Sequence, residues 1–161
     1  MESSPRSRTG EIGEDVSIIL ITAAQLIFLT FFHRYIAWST TQPDGSITRL
    51  SMLTDDYFTW LPFPITASIL VIVASIVMII SGSYWFRQIA WIIFCILGIT
   101  VTVSLVSIFP FDFSVIPNAT AVDVVPIIVT VFFSLMAVFY GTVALVQSAK
   151  LIREYRKHTV E

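Results

Sequence analysis

Four long stretches of apolar residues dominate the chain, and none of them has an acidic or basic residue in its interior. Each can supply the roughly 20 residues with which a helix crosses a hydrocarbon layer of about 30 Å. In lipid the backbone must satisfy its own hydrogen bonds, so the pattern predicts helices despite the many valines and isoleucines. The predicted spans are 16–38, 65–86, 89–109 and 124–147.

These spans define the predicted fold class, an all-α membrane protein with a four-transmembrane-helix bundle over residues 16–147. Residues 1–15 form a predicted disordered cytoplasmic tail, and residues 148–161 a basic cytoplasmic helical extension. The outer loops are 39–64 and 110–123.

The first outer loop has local structure of its own. Gln42-Pro43-Asp44-Gly45 is a turn signal, since proline presets φ and glycine accepts the left-handed region. The flanking segments favour a short β-hairpin. Thr54-Asp55-Asp56 predicts the start of a short helix whose aromatic residues lie in the membrane interface. At the end of the second outer loop, Asp123 is expected to cap the fourth helix.

Composition supports lipid as the solvent. Of the 161 residues, 56% are hydrophobic and 12% are charged, whereas about a quarter of a soluble domain is charged. The net charge of −2 indicates no nucleic-acid partner. Cys95 is the only cysteine, which excludes an internal disulfide and a cysteine-rich zinc site. No cofactor motif is present, and no cofactor is predicted.

The distribution of Lys and Arg predicts the orientation. Seven lie in the termini and in the turn between the second and third spans, and two lie on the other side: Arg34 at the outer end of the first span and Arg49 in the first outer loop. The excess of positive charge stays inside, so both termini are predicted to be cytoplasmic in a multi-pass protein of the cell membrane. Aromatic residues at the span ends predict two interfacial belts: Trp38, Tyr57 and Trp60 outside, and Tyr84, Trp85 and Trp91 inside.

Small residues at helical spacing predict how the helices pack. Such residues let neighbouring backbones approach closely in lipid. The predicted packing seam consists of Thr130, Ser134, Ala137, Gly141, Ala144 and Ser148 in the fourth span, and Ser68, Ser75 and Gly82 in the second. The alternative interpretation of these stripes is a polar transport path.

Few residues suggest chemistry. Gln25 is the most polar side chain well inside a span, and both Gln25 and Tyr140 are expected to hydrogen-bond to a neighbouring helix. At the outer face, a weak metal-binding or pH-sensing site is conceivable for four residues: His33, Arg34, Asp112 and Asp123. The basic tail predicts contact with anionic lipids through Lys150, Arg153, Arg156 and Lys157.

Two functional hypotheses follow. The first is a structural, accessory or interaction subunit of a membrane complex, with membrane lipids and another membrane protein or a second copy as partners. The second is a transporter or a membrane protein that binds a small ligand or lipid, which requires a polar cavity. An enzyme is not favoured, because no catalytic constellation is present.

Overall fold

The computed structural model describes residues 8–41 and 45–159, and of residues 119 and 157–159 it describes the backbone alone. In chain order the elements are α1 (Arg8–Phe31), a 3-10 turn (His33–Tyr35), β1 (Ala37–Thr41), β2 (Ile47–Ser51), α2 (Asp56–Trp60), α3 (Pro62–Ser81), α4 (Tyr84–Ile108) and α5 (Ala119–Thr159). Within the described ranges four helical segments are long and apolar enough to cross a membrane, with α2 and α3 counted as one.

The predicted hairpin is present as a two-stranded antiparallel sheet in which Ala37 pairs with Ser51 and Thr41 with Ile47. Gly45 has a φ of +83°, the left-handed conformation that the turn signal predicts. The other turn residues, 42–44, lie outside the described part of the chain. The sheet explains why α1 stops at Phe31 rather than at residue 38: Trp38 is held in β1, opposite Leu50.

The other helix ends also differ from the predicted spans. α1 begins at Arg8, so residues 8–15 are helical rather than part of a disordered tail, and residues 1–7 lie outside the described chain. α3 ends at Ser81 instead of residue 86, because Gly82 adopts a φ of +57° and its N–H bonds to the Met78 carbonyl. α4 therefore begins at Tyr84 and includes the first residues that hydropathy assigned to the preceding span.

α5 begins five residues before the predicted start, at Ala119. The Asn118 side chain accepts hydrogen bonds from the backbone N–H groups of Thr120 and Ala121, at 3.0 and 3.3 Å. Asn118 therefore caps the helix in place of Asp123. α5 then continues to Thr159, with Pro126 inside it.

The long helices pack in chain order: α1 on α3, α3 on α4 and α4 on α5, the last contact being the most extensive. Among the described residues α1 and α5 make no comparable contact. We call this row of four helices the arc, and α1 and α5 its edge helices. We call the end with the sheet the hairpin end. The opposite end, with the start of α1, the α3–α4 turn and the end of α5, is the terminal end.

Candidate ligand cavity between the helices

A cavity of about 560 Å³ lies inside the arc, in the half nearest the hairpin end. This volume is within the range of about 300–1,000 Å³ that small-molecule sites occupy. All four long helices line it. The two edge helices, α1 and α5, both line the cavity, although within the described residues they make no extensive contact with each other.

Regular helical spacing places the lining residues. On α1, Thr22, Gln25 and Leu29 follow each other at intervals of three and four residues, which puts them on one face. The same spacing brings Phe133, Met136 and Tyr140 of α5 to the cavity. The inner helices supply the remaining wall: Pro64, Ala67, Ser68 and Val71 from α3, and Phe94, Leu97, Gly98, Val101, Thr102 and Leu105 from α4.

The hairpin end covers the cavity with aromatic side chains. Tyr57 and Trp60 of α2 are buried together with Leu105 of α4. The Tyr57 hydroxyl donates a hydrogen bond of 2.6 Å to the Leu29 carbonyl of α1, and the Trp60 indole N–H points to the Val101 carbonyl of α4 at 3.4 Å. These contacts fix α2 across α1 and α4. The prediction that Tyr57 and Trp60 belong to an interfacial belt is therefore wrong, because both side chains face the protein.

The loop between α4 and α5 strengthens this cover. The Thr54 N–H donates to the Pro110 carbonyl at 3.1 Å, and the Asp112 N–H donates to the Met52 carbonyl at 2.8 Å. Leu53 and Phe111 form an isolated antiparallel bridge between these two bonds, and both side chains line the cavity. Backbone hydrogen bonds thus hold the segment after β2 against the second loop.

The cavity wall has no charged side chain among the described lining residues, and its surface is mostly apolar. Its polar groups are hydroxyls and one amide. The Thr102 hydroxyl is satisfied by the Gly98 carbonyl at 2.7 Å. For the side chains of Gln25 and Tyr140, the described residues provide no hydrogen-bond partner. The predicted interhelical hydrogen bonds of Gln25 and Tyr140 are therefore not formed within this part of the chain, and both groups can serve a ligand.

Close packing of α4 and α5 sets the position of Tyr140. A Cβ atom built on Gly98 would lie 3.1 Å from two carbons of the Tyr140 ring, so the ring rests directly on the α4 backbone. A larger residue at position 98 would require the ring to move by a few tenths of an ångström. The ring is thereby held at the edge of the cavity. Gly141, the next residue along α5, has open space where its Cβ would stand.

The terminal end is held by charge. Arg87 of α4 donates to both carboxylate oxygens of Asp15 of α1, at 3.3 and 2.8 Å, and Asp15 is fully buried. Glu11 approaches the same guanidinium at 3.7 Å. On the other side of α4, the Tyr84 hydroxyl donates to the Glu154 carboxylate of α5 at 2.9 Å. The start of α4 therefore joins both edge helices.

The ion pair of Asp15 and Arg87 was not predicted, because Asp15 falls in the predicted N-terminal tail and Arg87 in a predicted turn, where its charge was a topology signal. A signal was nevertheless present: Asp15 directly precedes an apolar stretch, and Arg87 is the only charged residue between two of them. Buried charges need partners, and both residues were predicted on the same side of the membrane.

The residues of the predicted packing seam are spread over different environments. In α5 most are half-buried, but Ser134 is exposed. In α3, Ser68 and Ser75 are buried, whereas Gly82 is the exposed C-terminal cap. The Ser75 hydroxyl is buried, and no described residue hydrogen-bonds to it. The Ser148 hydroxyl bonds to the Ala144 carbonyl of its own helix at 2.8 Å.

The outer-face candidates are not brought together as a cluster. His33 stacks on Tyr57, with ring centroids 5.3 Å apart, and its Nδ1 lies 3.0 Å from the Thr30 carbonyl. Neither Asp112 nor Asp123 forms an ion pair with Arg34 among the described residues. The same residues contain no group of three potential metal-ligating side chains.

The basic tail is accessible. Lys150, Arg153 and Arg156 are exposed on the last turns of α5, at the terminal end. The side chain of Lys157 lies outside the described part of the chain.

The structure is that of a small, mostly helical protein with four long apolar helices, around a cavity whose described lining residues carry no charge. No protein-family model, curated protein or solved structure matches the chain.

Proposed function

We propose that this protein is a four-span integral membrane protein of the cell membrane with both termini in the cytoplasm. The four apolar helices support the first part. The orientation is supported by the seven basic residues of the termini and the α3–α4 turn region, against two elsewhere. The exposed Lys150, Arg153 and Arg156 then face the inner leaflet, where anionic lipids attract each of them by about 1 kcal/mol.

A cysteine-labelling experiment tests the orientation, because Cys95 is buried and can be replaced by serine. In that background, Thr41→Cys and Arg156→Cys place single thiols on exposed positions at opposite ends of the helices. A membrane-impermeant maleimide is expected to label Thr41→Cys in intact cells, and Arg156→Cys only after permeabilisation. The reverse pattern would overturn the orientation.

We further propose that the protein binds an uncharged, largely apolar small molecule taken from the bilayer. The observation that carries this proposal is the cavity of about 560 Å³, lined by all four long helices. An uncharged wall disfavours ions and charged metabolites, because their desolvation would not be compensated. We place the entry between α1 and α5, whose described residues make no extensive contact, so that molecules already dissolved in lipid reach the cavity directly.

A substitution that fills the cavity tests the binding proposal. Ala67→Phe on α3 places a ring in the cavity, whereas Ile69→Phe changes an exposed position of the same helix. A photoactivatable long-chain probe in phosphatidylcholine nanodiscs is expected to crosslink the wild type at cavity residues such as Leu97 and Met136. Ala67→Phe should reduce this crosslinking about tenfold, and Ile69→Phe should leave it unchanged. Equal crosslinking of all three proteins would refute the proposal.

A second candidate function is that of an accessory or interaction subunit, favoured by the position of α5. Among the described residues this helix makes extensive contact only with α4, and it has exposed apolar side chains such as Leu135 and Phe139. A partner helix or a second copy could pack there. Mild crosslinking in native membranes should then retain a partner or a dimer, and a strictly monomeric, partner-free species in native nanodiscs would exclude this function.

A further inference from the structure

The polar groups of the cavity restrict its ligand more narrowly than its apolar wall does. Gln25 lines the cavity from α1, and Tyr140 lines it from α5, so the two edge helices each bring one hydrogen-bonding side chain to the site. The proposed entry lies between these two helices, which make no extensive contact within the described residues. A molecule entering from the bilayer therefore passes between these two groups.

Neither group has a hydrogen-bond partner among the described residues. The hydroxyls of Thr100, Thr102 and Thr142, by comparison, each bond to a carbonyl of their own helix. An amide or phenol without a partner is costly where no water is available. A ligand that bonds to Gln25 and Tyr140 would remove this cost.

The hydrogen-bond donors and acceptors of Gln25 and Tyr140 indicate which functional group the ligand carries. The Gln25 amide offers a donor and an acceptor, and the Tyr140 hydroxyl can act as either. A ligand hydroxyl also donates and accepts, so it can bond to both side chains at once. A ketone or ester carbonyl only accepts, which would leave the Gln25 carbonyl oxygen without a donor.

The cover at the hairpin end excludes a large or charged head group. Tyr57, Trp60 and Phe111 close the cavity there, and the described lining has no basic residue to hold a phosphate. We propose that the cavity binds a neutral lipid alcohol, a hydrocarbon body with one hydroxyl, and that Gln25 and Tyr140 hold that hydroxyl. This proposal rests on the proposed binding function and names its ligand class.

Three matched photoactivatable probes test the ligand class in phosphatidylcholine nanodiscs: a long-chain alcohol, its methyl ether and the corresponding hydrocarbon. The ether accepts hydrogen bonds but cannot donate them. We expect the alcohol to crosslink wild-type protein about tenfold more than the hydrocarbon, with the ether between them, since a single hydrogen bond changes an affinity by roughly fivefold.

Two conservative variants test whether Gln25 and Tyr140 hold the hydroxyl of the ligand. Gln25→Leu removes the amide at similar size, and Tyr140→Phe removes only the hydroxyl and keeps the ring on Gly98. Each is expected to reduce the preference for the alcohol to about twofold, while crosslinking of the hydrocarbon persists. Thr142→Val, at an exposed hydroxyl on α5 outside the cavity, serves as the control and should keep the full preference.

The outcomes separate the two proposals. Equal crosslinking of the three probes, with continued loss in Ala67→Phe, would overturn the lipid alcohol but leave the binding function standing. An undiminished preference in both Gln25→Leu and Tyr140→Phe would overturn the assigned contact. A phospholipid probe that crosslinks the cavity as strongly as the alcohol would show that an acyl chain is the occupant. Crosslinking that Ala67→Phe does not reduce would overturn the binding function itself.

Discussion

At the terminal end of the helices, an ion pair joins α1 to α4, and a tyrosine–carboxylate hydrogen bond joins α4 to α5. At the hairpin end, buried aromatic side chains and backbone hydrogen bonds join α1, α2 and α4. The first kind of contact depends on a few directed bonds between specific atoms. The second kind depends on buried area and is shared among many residues.

The two ends of the molecule therefore have different roles. The contacts of the terminal end hold the helices together, whereas those of the hairpin end also form part of the cavity. The contacts of the terminal end fasten only that end of α1 and α5 to α4, and none of the described residues that make them lines the cavity. The aromatic residues of the hairpin end both hold α2 and cover the cavity. Disruption of the terminal end should therefore cost stability with little change in the site itself, whereas disruption of the hairpin end should change both.

The largest effect is expected for Arg87→Leu at the terminal end. Asp15 is fully buried, so removal of Arg87 leaves a carboxylate without its partner, at a cost of about 4 kcal/mol in the free energy of unfolding. Asp15→Leu should cost less, because Glu11 lies 3.7 Å from the guanidinium and remains as a partner. Reversible unfolding in mixed detergent micelles, followed by tryptophan fluorescence, measures both.

The double variant Asp15→Leu/Arg87→Leu is the control for this prediction. It removes both charges together, so it should recover most of the stability that Arg87→Leu loses. If the double variant were as unstable as Arg87→Leu, the loss would come from packing of the arginine side chain instead of from the unpaired carboxylate.

Trp60→Ala at the hairpin end is expected to cost about 3 kcal/mol, the lower end of the range for buried tryptophans, since part of the side chain borders the cavity and has no packed neighbour there. Phe58 of the same helix is the matched control: its side chain is 60% exposed, against 6% for Trp60. Phe58→Ala should cost less than about 0.5 kcal/mol. The same unfolding assay measures both variants. Similar losses of stability in the two would contradict the assignment of Trp60 to the buried core of the hairpin end.

A smaller effect is expected between the two ends, where α4 meets α5. Gly98→Ala forces the Tyr140 ring to shift, and overpacking of about 2 kcal/mol exceeds the gain of up to about 1 kcal/mol in helix propensity. The net loss is about 1 kcal/mol. Gly141→Ala meets nothing within 4 Å, so it should be neutral or slightly stabilising. A loss in Gly141→Ala equal to that in Gly98→Ala would mean that the ring contact carries no energy.

Local patterns were sufficient to predict the four apolar helices, from hydropathy, and the hairpin, from its turn residues and flanking strand signals. The helix ends were less predictable because single residues decide them. Gly82 ends α3 through its positive φ, and Asn118 caps α5, although neither changes the hydropathy of its neighbourhood. The early start of α1 accompanies the pairing of Asp15 with Arg87, a contact between residues 72 positions apart.

The cavity could not be predicted from these patterns. Gln25 and Tyr140 are conspicuous in the sequence as polar groups inside apolar stretches, and both do line the cavity. Whether such groups bond to each other, to a helix or to a ligand depends on how far apart α1 and α5 stand, which is a tertiary property. The burial of Tyr57 and Trp60 could not be predicted for a similar reason. An amphipathic aromatic residue suits a lipid interface and a protein core equally well.

The smallest expected effect concerns the pH dependence of the hairpin end. The Ser114 hydroxyl and its backbone N–H hydrogen-bond to the Asp112 carboxylate and lower the pKa of Asp112 below its ordinary value of 3.8. A lowered pKa in the folded state means that the carboxylate stabilises the fold above the ordinary pKa, and that this stabilisation is lost as the pH falls through the folded value.

Asp112→Asn keeps an acceptor oxygen but cannot titrate. The difference in unfolding free energy between wild type and Asp112→Asn should therefore be small and constant from pH 5 to 8, and should shrink as the pH falls below 3.8. Unfolding in mixed micelles at a series of pH values measures this difference. A difference that grew on acidification would mean that the folded state favours the protonated carboxyl, contrary to its hydrogen bonds with Ser114.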